Sequence, residues 1–293
     1  MLSLNMYKLL FGALSLFASI NCNGVEITFQ NDTDCHKIFI NGEIVKGDSV
    51  KLGNSIEYWK KIVDPRKCMD LSYERQLRIS SRGGDVDEAM EMGKKIKESE
   101  FSVIVWTRDQ CLSSCVFILA AGVTRNPTRA KIGIHRPYFG EMDDKLTMSQ
   151  IRQKRDRLKL KIRDYFELMD IDPSLTEIMM QTPPEEIKIL TKEELMRYRL
   201  SVDDANYDEK ETAKQAKFYN ITSGEYRKRN SSLNAKCGDS FSMNFSTCME
   251  SVLLNISTEE AARRQEKIRS LCREIPKYDD KVSCVKKYLI EGK

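Results

Sequence analysis

The sequence predicts an α/β fold, in which strands and helices alternate along the chain, followed by a small helical module that contains cysteines. Two short segments, Gln76–Ser80 and Ser102–Trp106, are predicted to be strands, and the second is a β-branched run typical of a buried strand. Between them, Asp85–Ser99 carries apolar residues at helical spacing, and a second apolar segment, Val116–Ala121, follows the second run. Strands that alternate with helices in this way form a parallel sheet joined by crossover helices.

Further segments extend this alternation of strands and helices. Val25–Asp32 and Lys37–Ile44 are predicted to be strands, and the second of them contains an Asn-Gly turn signal. A long, strongly charged helix is predicted over Thr147–Met169. The remaining predicted elements of this region are a strand at Lys131–Ile134, a strand at Ile187–Leu190 and a short helix that begins at a capping box formed by Thr191 and Glu194.

The composition is that of a globular protein with a substantial core. The chain has 293 residues, of which 41% are hydrophobic and 31% are charged, and its formal net charge is only +4. No basic block with interleaved aromatic residues occurs, so nucleic acid is not expected as a partner. We expect no metal and no organic cofactor, because no second close cysteine pair accompanies Cys111 and Cys115 to form a zinc site.

Residues 1–24 have the pattern of a secretion signal. Lys8 supplies a positive charge, and Leu9–Ile20 supplies about a dozen apolar residues, which is shorter than the roughly 20 residues that a membrane span needs. We therefore expect a signal that is cleaved and no transmembrane span in the mature chain. Cys22 offers an alternative, a lipid-anchored amino terminus, which Asn21 before it disfavours.

The cysteine content predicts disulfide bonds. Eight cysteines follow Cys22, and an even number in an exported chain favours disulfides over free thiols. Cys111 and Cys115 lie too far apart for a relaxed bond if both are on one regular helix, but they are within reach if Cys111 lies in the turn before it. Pairing with Cys35 or Cys68 is the alternative. The eight candidates are Cys35, Cys68, Cys111, Cys115, Cys237, Cys248, Cys272 and Cys284.

The chain is predicted to divide into an α/β domain and a small module. The α/β domain covers residues 25–207, and residues 208–236 are polar and charged, which is typical of a linker. Residues 237–293 are expected to form a helical module, with a capping box at Ser257–Glu260. A module of this size needs covalent staples, and its four cysteines allow two disulfides with three possible connectivities.

A serine and a histidine stand at special positions in the segment 111–137. Ser113 and Ser114 open the second apolar helix, where unpaired backbone N–H groups are able to stabilise an oxyanion. His135, one of only two histidines in the chain, directly follows the strand Lys131–Ile134. A nucleophile, N–H donors and a base are therefore expected within one strand–helix–strand unit, and these groups together perform the chemistry of a serine hydrolase.

Three sequence blocks, taken in order, resemble the proteolytic subunit of Clp protease and the wider Clp/crotonase superfamily. Ile79–Val86 resembles its Gly-Gly loop, Ser113–Gly122 its nucleophile helix and Ile132–Pro137 its histidine segment. Leu190–Leu200 is similar to its last helix, and the whole resemblance covers Lys37–Asp204. The likeness is greatest to exported bacterial relatives with a Cys-x-Ser-x-Cys motif. It implies a fold of repeated ββα layers, a periplasmic location and self-association into rings or layered oligomers.

The resemblance also implies a role for the residues of the site. Ser113 aligns with the family nucleophile, and His135 aligns with the base that takes its proton. The oxyanion hole would consist of the N–H of Ser114 and an N–H from Gly83 or Gly84.

The third member of the triad departs from the family pattern. The family's acidic residue aligns near Pro183, whose side chain cannot orient an imidazole. Glu185 is the predicted replacement, and the neighbouring Glu186 and Thr182 are the alternatives. A serine–histidine pair without a well-placed acid is expected to be slower, because nothing then fixes the tautomer of the imidazole.

The leading hypothesis is an exported serine peptidase that acts on a peptide or protein substrate, needs no cofactor and forms homo-oligomers. The first alternative is a catalytically inactive binding or scaffold protein of the same fold, which the missing acid favours. The second alternative is an acyl-CoA enzyme of the crotonase branch, which export disfavours because CoA thioesters are cytosolic metabolites.

Overall fold

The computed structural model describes residues 24–32, 35–63, 75–127, 129–138, 146–238, 245–275 and 277–292. The predicted α/β fold is confirmed, because the described residues form a five-stranded sheet and a three-stranded sheet with helices packed on them. Of the segment predicted to be a secretion signal, only Gly24 lies among the described residues, and Cys68 also lies outside them.

The larger sheet is mostly parallel. Its strands are β1 (Glu26–Asp32), β2 (Cys35–Asn41), β3 (Gln76–Ser80), β4 (Ser102–Ile104) and β6 (Arg125–Asn126). They lie in the order β1-β2-β3-β4-β6, in which β1 and β2 are antiparallel and the other neighbours are parallel. The parallel pairs agree with the crossovers that the alternation of strands and helices predicts.

The smaller sheet continues the larger one at the end of β3. Its strands are β5 (Gln110–Leu112), β7 (Lys131–Ile134) and β8 (Lys188–Ile189), with β7 in the middle. Two isolated bridges, Ile44 with Gly84 and Ser81 with Cys111, continue the pairing beyond the strand ends. The segment that follows β3 therefore lies beside the end of β5.

Six helices belong to this α/β part of the described chain. They are α1 (Asp48–Ile62), α2 (Val86–Glu98), α3 (Cys115–Ala120), α4 (Met148–Leu168), α5 (Ser174–Gln181) and α6 (Lys192–Arg197). Helix α1 was not predicted, because it starts after Gly47, which has no side chain to cap it. The predicted helices α2 and α4 begin at side-chain caps, Asp85 and Thr147.

The short helix α3 is completely buried, and two other helices hold it. The hydroxyl of Tyr165 on α4 donates a 2.7 Å hydrogen bond to the carbonyl oxygen of Phe117, and the Phe117 ring stacks on Phe166 with a centroid distance of 5.2 Å. Helix α2 approaches closely at Gly93, where a Cβ atom would lie 1.8 Å from the Tyr165 hydroxyl. This packing gives the turn before α3 a rigid base.

The C-terminal part is helical throughout its described length. Its helices are α7 (Ala205–Tyr219), α8 (Ser223–Ser231), α9 (Leu233–Cys237), α10 (Phe245–Leu254), α11 (Thr258–Leu271) and α12 (Tyr278–Leu289). The segment 208–236, predicted as a linker from its polar composition, is thus formed by α7–α9, and it is polar because α8 buries no residue. Disulfides join Cys237 to Cys248 and Cys272 to Cys284. Among the described residues, no helix has both the length and the hydropathy to cross a membrane.

Glu250 on α10 has a partly buried carboxylate in this helical part. Its Oε2 atom is buried and has no hydrogen-bond partner within the described residues. Burial raises the pKa of Glu250 from 4.5 to about 6, against the opposing effects of Gln265 and Arg269. Because this pKa is higher in the folded state, protonation of Glu250 stabilises the fold below pH 4.5, and that stabilisation is lost as the pH rises through about 6.

Glu250→Gln is therefore expected to raise the free energy of unfolding near neutral pH by about 1 kcal/mol, since the amide needs no desolvated charge. The gain is expected to disappear at about pH 4, where the glutamate is already protonated. Urea unfolding of the intact protein at the two pH values measures both quantities. The control is Glu266→Gln, whose carboxylate is 71% exposed on α11. An equal gain at both pH values would contradict the assignment.

Candidate active site

The loop between β3 and α2 contains two glycines that have no room for a side chain. Gly83 has φ of 98° and Gly84 has φ of 145°, which are values that L side chains rarely adopt. A Cβ atom on Gly83 would lie 2.7 Å from the Cβ of Ser113, and one on Gly84 would lie 2.0 Å from the carbonyl oxygen of Ile44. The glycines thus allow this backbone to pass directly over the Ser113 turn.

Ser113 lies in a turn with an unusual backbone conformation. Its φ is +56°, in the left-handed region that few residues other than glycine occupy. The Ser113 N–H donates a 2.8 Å hydrogen bond to the carbonyl oxygen of Gly133 on β7, which ties the turn to the smaller sheet. Non-glycine residues in this conformation persist where the surrounding structure requires them, and they are frequent at functional sites.

A disulfide between Cys111 and Cys115 spans the Ser113 turn. Their Cα atoms are 5.1 Å apart, with Cys111 on β5 and Cys115 at the first position of α3. The sequence allows a bond between these two cysteines or pairing with Cys35 or Cys68. The structure has the bond between Cys111 and Cys115, because Cys111 precedes the helix. Both cysteines are fully buried, so the bond constrains the turn on its buried side.

Two backbone N–H groups beside Ser113 have no hydrogen-bond partner among the described residues. The Gly83 N–H donates to the Oγ of Ser81 at 3.0 Å, so it is already satisfied. Within the described part of the chain, the N–H groups of Gly84 and Ser114 have no hydrogen-bond acceptor. A pair of free N–H groups beside a serine is the arrangement that stabilises an oxyanion.

His135 follows β7 and is buried, with 8% of its surface exposed. Its Nδ1 lies 2.9 Å from the carbonyl oxygen of Arg136. Because a carbonyl oxygen only accepts hydrogen bonds, Nδ1 carries the proton of the neutral ring, and Nε2 has the lone pair of a base. The backbone therefore selects the tautomer that a general base needs.

The predicted acid, Glu185, is not part of this arrangement. Glu185 is exposed and does not line the cavity that contains Ser113 and His135. Next to His135, the Arg136 N–H donates a 2.9 Å hydrogen bond to the carbonyl oxygen of Thr182. The main chain of this segment is thus fixed by a hydrogen bond to the backbone of Thr182. Within the part of the chain that the structure describes, the imidazole has a carbonyl oxygen as its partner and no carboxylate.

A cavity of about 990 Å³ brings most of the predicted site residues together. Ser113, His135, Gly83 and Gly84 all line it, and Ser114 follows directly with its backbone N–H beside Gly83. Its other walls come from residues 43–46 before α1, from the start of α2 and from Leu158 on α4. The cavity is large enough for several residues of an extended peptide.

Sequence reasoning missed two parts of this site. The first is Ser81, whose hydroxyl satisfies Gly83 and so leaves Gly84 as the free donor of the loop. A serine two residues before a turn N–H is a known signal for this contact. The second is the Arg136 carbonyl group, which no side-chain pattern in the sequence indicates.

Compared with known proteins, the chain matches no family model and none of the curated sequences.

Proposed function

We propose that the protein is a serine hydrolase of the Clp/crotonase-like fold that cleaves peptide bonds through an acyl-enzyme. The observation that carries the proposal is that Ser113, in its left-handed turn, shares one cavity with His135 and the Gly83–Gly84 loop. The order of the three blocks along the chain, which resembles that of the Clp proteolytic subunit, supports the same assignment.

In the proposed reaction, Ser113 Oγ attacks the carbonyl carbon of the substrate, and His135 Nε2 takes the hydroxyl proton. The negative charge that develops on the carbonyl oxygen is stabilised by the N–H groups of Gly84 and Ser114. The protonated imidazole then gives its proton to the leaving amine, and a water molecule hydrolyses the acyl-enzyme by the same steps in reverse order.

Among the described residues His135 has no carboxylate partner, and this limits the expected rate. The Arg136 carbonyl holds the tautomer of His135, but it carries no full negative charge to stabilise the imidazolium. We therefore expect a slower enzyme than one with a complete triad, with an acyl-enzyme that forms readily on reactive substrates.

Export to an oxidising compartment such as the periplasm belongs to the same proposal. Three disulfides among the described residues, Cys111–Cys115, Cys237–Cys248 and Cys272–Cys284, support it, because such bonds persist outside the reducing cytosol.

The test is reaction with an alkyl fluorophosphonate, which modifies activated serines. We expect one adduct per chain, located on Ser113 by peptide mass spectrometry, and a strong reduction of its rate in His135→Asn. Adducts spread over several exposed serines, or an adduct rate that His135→Asn leaves unchanged, would contradict the proposal.

A second candidate function is a binding module that retains the fold without catalysis. The lack of a carboxylate partner for His135 among the described residues favours it, because a binding protein does not need a stabilised imidazolium. Well-folded protein that takes up no fluorophosphonate but binds peptides in the same cavity would establish this alternative.

A further inference from the structure

The first two thirds of α4 contribute no fully buried side chain to the core. The fully buried side chains of this helix are Ile162, Tyr165 and Phe166, all in its last third. Before them, Met148 is 68% exposed and Leu160 is 51% exposed. A helix of this length that buries so little over several turns is supported by its C-terminal end and presents the rest to solvent.

This exposed part carries an excess of positive charge, which we call the basic segment and define as Arg152, Lys154, Arg155 and Arg157. All four side chains are exposed, and none has an acidic partner within the described residues. By contrast, the three cations that follow on α4 are paired: Lys159 with Glu177, Lys161 with Asp87 and Arg163 with Glu167.

None of the four cations lines the cavity of the candidate active site, but the basic segment ends beside it. Leu158, the residue that follows the segment, lines that cavity. Lys161 Nζ lies 2.7 Å from Asp87 Oδ1, and Asp87 is also a lining residue, so this exposed ion pair lies between α4 and the rim of the cavity. The cavity itself has no such excess, since its charged lining residues are Glu43, Lys46, Arg82, Asp85 and Asp87.

We propose that the basic segment recruits polypeptides rich in Asp and Glu to the cavity, and so selects anionic substrates for the proposed hydrolase. This inference rests on the proposed function. Four cations that have no acidic partner among the described residues, next to a cleft, raise the local concentration of an anionic chain and speed its encounter. The same charges oppose a contact between two copies through this segment, because like charges would then face each other.

The test compares two fluorogenic peptides with the same scissile core, one flanked by Glu and one by Lys, and a small neutral ester. In the full-length protein at low salt, we expect kcat/KM for the Glu-flanked peptide to exceed that for the Lys-flanked peptide by about 10-fold or more. Replacing the four cations by Gln is expected to remove this preference, as is about 0.5 M NaCl. Ester hydrolysis is expected to stay unchanged in both cases.

The control variant removes four other exposed cations, Lys217, Lys228, Lys236 and Lys267, none of which lines the cavity. It has the same net charge as the test variant and is expected to keep the peptide preference. An equal loss in both variants, or in peptide and ester alike, would overturn the inference, because net charge or folding would then be the cause.

Failure of the proposed function gives a different result from failure of this inference. If the wild type hydrolyses neither ester nor peptide, fluorescence anisotropy still measures whether the Glu-flanked peptide binds through the basic segment. Binding to vesicles of anionic phospholipid that the four Gln substitutions abolish, without any preference between the peptides, would overturn the polypeptide assignment in favour of a membrane surface.

Discussion

Ser113→Ala is expected to abolish hydrolysis of peptides and esters, whereas Ser114→Ala is expected to retain most of it. The first substitution removes the attacking oxygen, and loss of a nucleophile typically lowers kcat by about 10³-fold or more. The second removes a hydroxyl that is buried and has no hydrogen-bond partner in the described structure, while it leaves the Ser114 N–H in place. Adjacent serines thus provide a matched pair with opposite outcomes.

Both variants are expected to fold like the wild type, so activity alone separates them. Deleting an unsatisfied buried hydroxyl is neutral or slightly stabilising, so Ser114→Ala should not lower the unfolding temperature. Turnover of a small ester, together with thermal unfolding, measures the two effects. Full activity in Ser113→Ala with a loss in Ser114→Ala would show that the nucleophile was assigned to the wrong serine.

Arg125→Met is expected to destabilise the fold by about 3 kcal/mol or more. The guanidinium of Arg125 is fully buried and donates to the carbonyl oxygens of Ala120 at 2.9 Å and Arg199 at 3.0 Å. It also donates to the carbonyl oxygen of Met169 and lies 3.7 Å from the carboxylate of Asp204. Burial lowers the pKa of Arg125 to about 10, which Asp204 opposes.

The size of this loss of stability follows from the carbonyl oxygens that have no donor once Arg125 is replaced. Methionine fills a similar volume, but the carbonyl groups at the ends of α3, α4 and α6 then lose a donor inside the protein. Urea unfolding measures the change. Arg199→Met is the control, because Arg199 is 38% exposed and its ion pair with Asp170 is only partly shielded from water. Equal losses in the two variants would contradict a special role for Arg125.

Local sequence patterns predicted much of the α/β part. Gln76–Ser80 and Lys131–Ile134 are strands over the predicted residues. A short buried strand shows in the sequence through the spacing of its apolar residues. Helix α2 begins where Asp85 caps it. By contrast, the polar composition of residues 208–236 predicts a linker, whereas the structure has α7–α9 there, because a helix such as α8 that buries no residue has the composition of a loop.

For the candidate site, the sequence by itself determined the residue types and their order. Ser113, His135 and the two glycines were identifiable because a helix start, a strand end and a tight turn have local signatures. The sequence did not determine their partners. It suggested Glu185 for the imidazole, whereas in the tertiary structure Nδ1 of His135 faces the carbonyl oxygen of Arg136.

Only the tertiary structure decided which N–H group of the glycine loop is free, which carbonyl groups Arg125 joins and which part of α4 borders the cavity. These facts depend on hydrogen bonds and packing between segments that are far apart along the chain. Periodicity and capping record whether a residue is buried and how its own helix or strand begins. They do not indicate which distant group a residue contacts, because that depends on how the elements pack together.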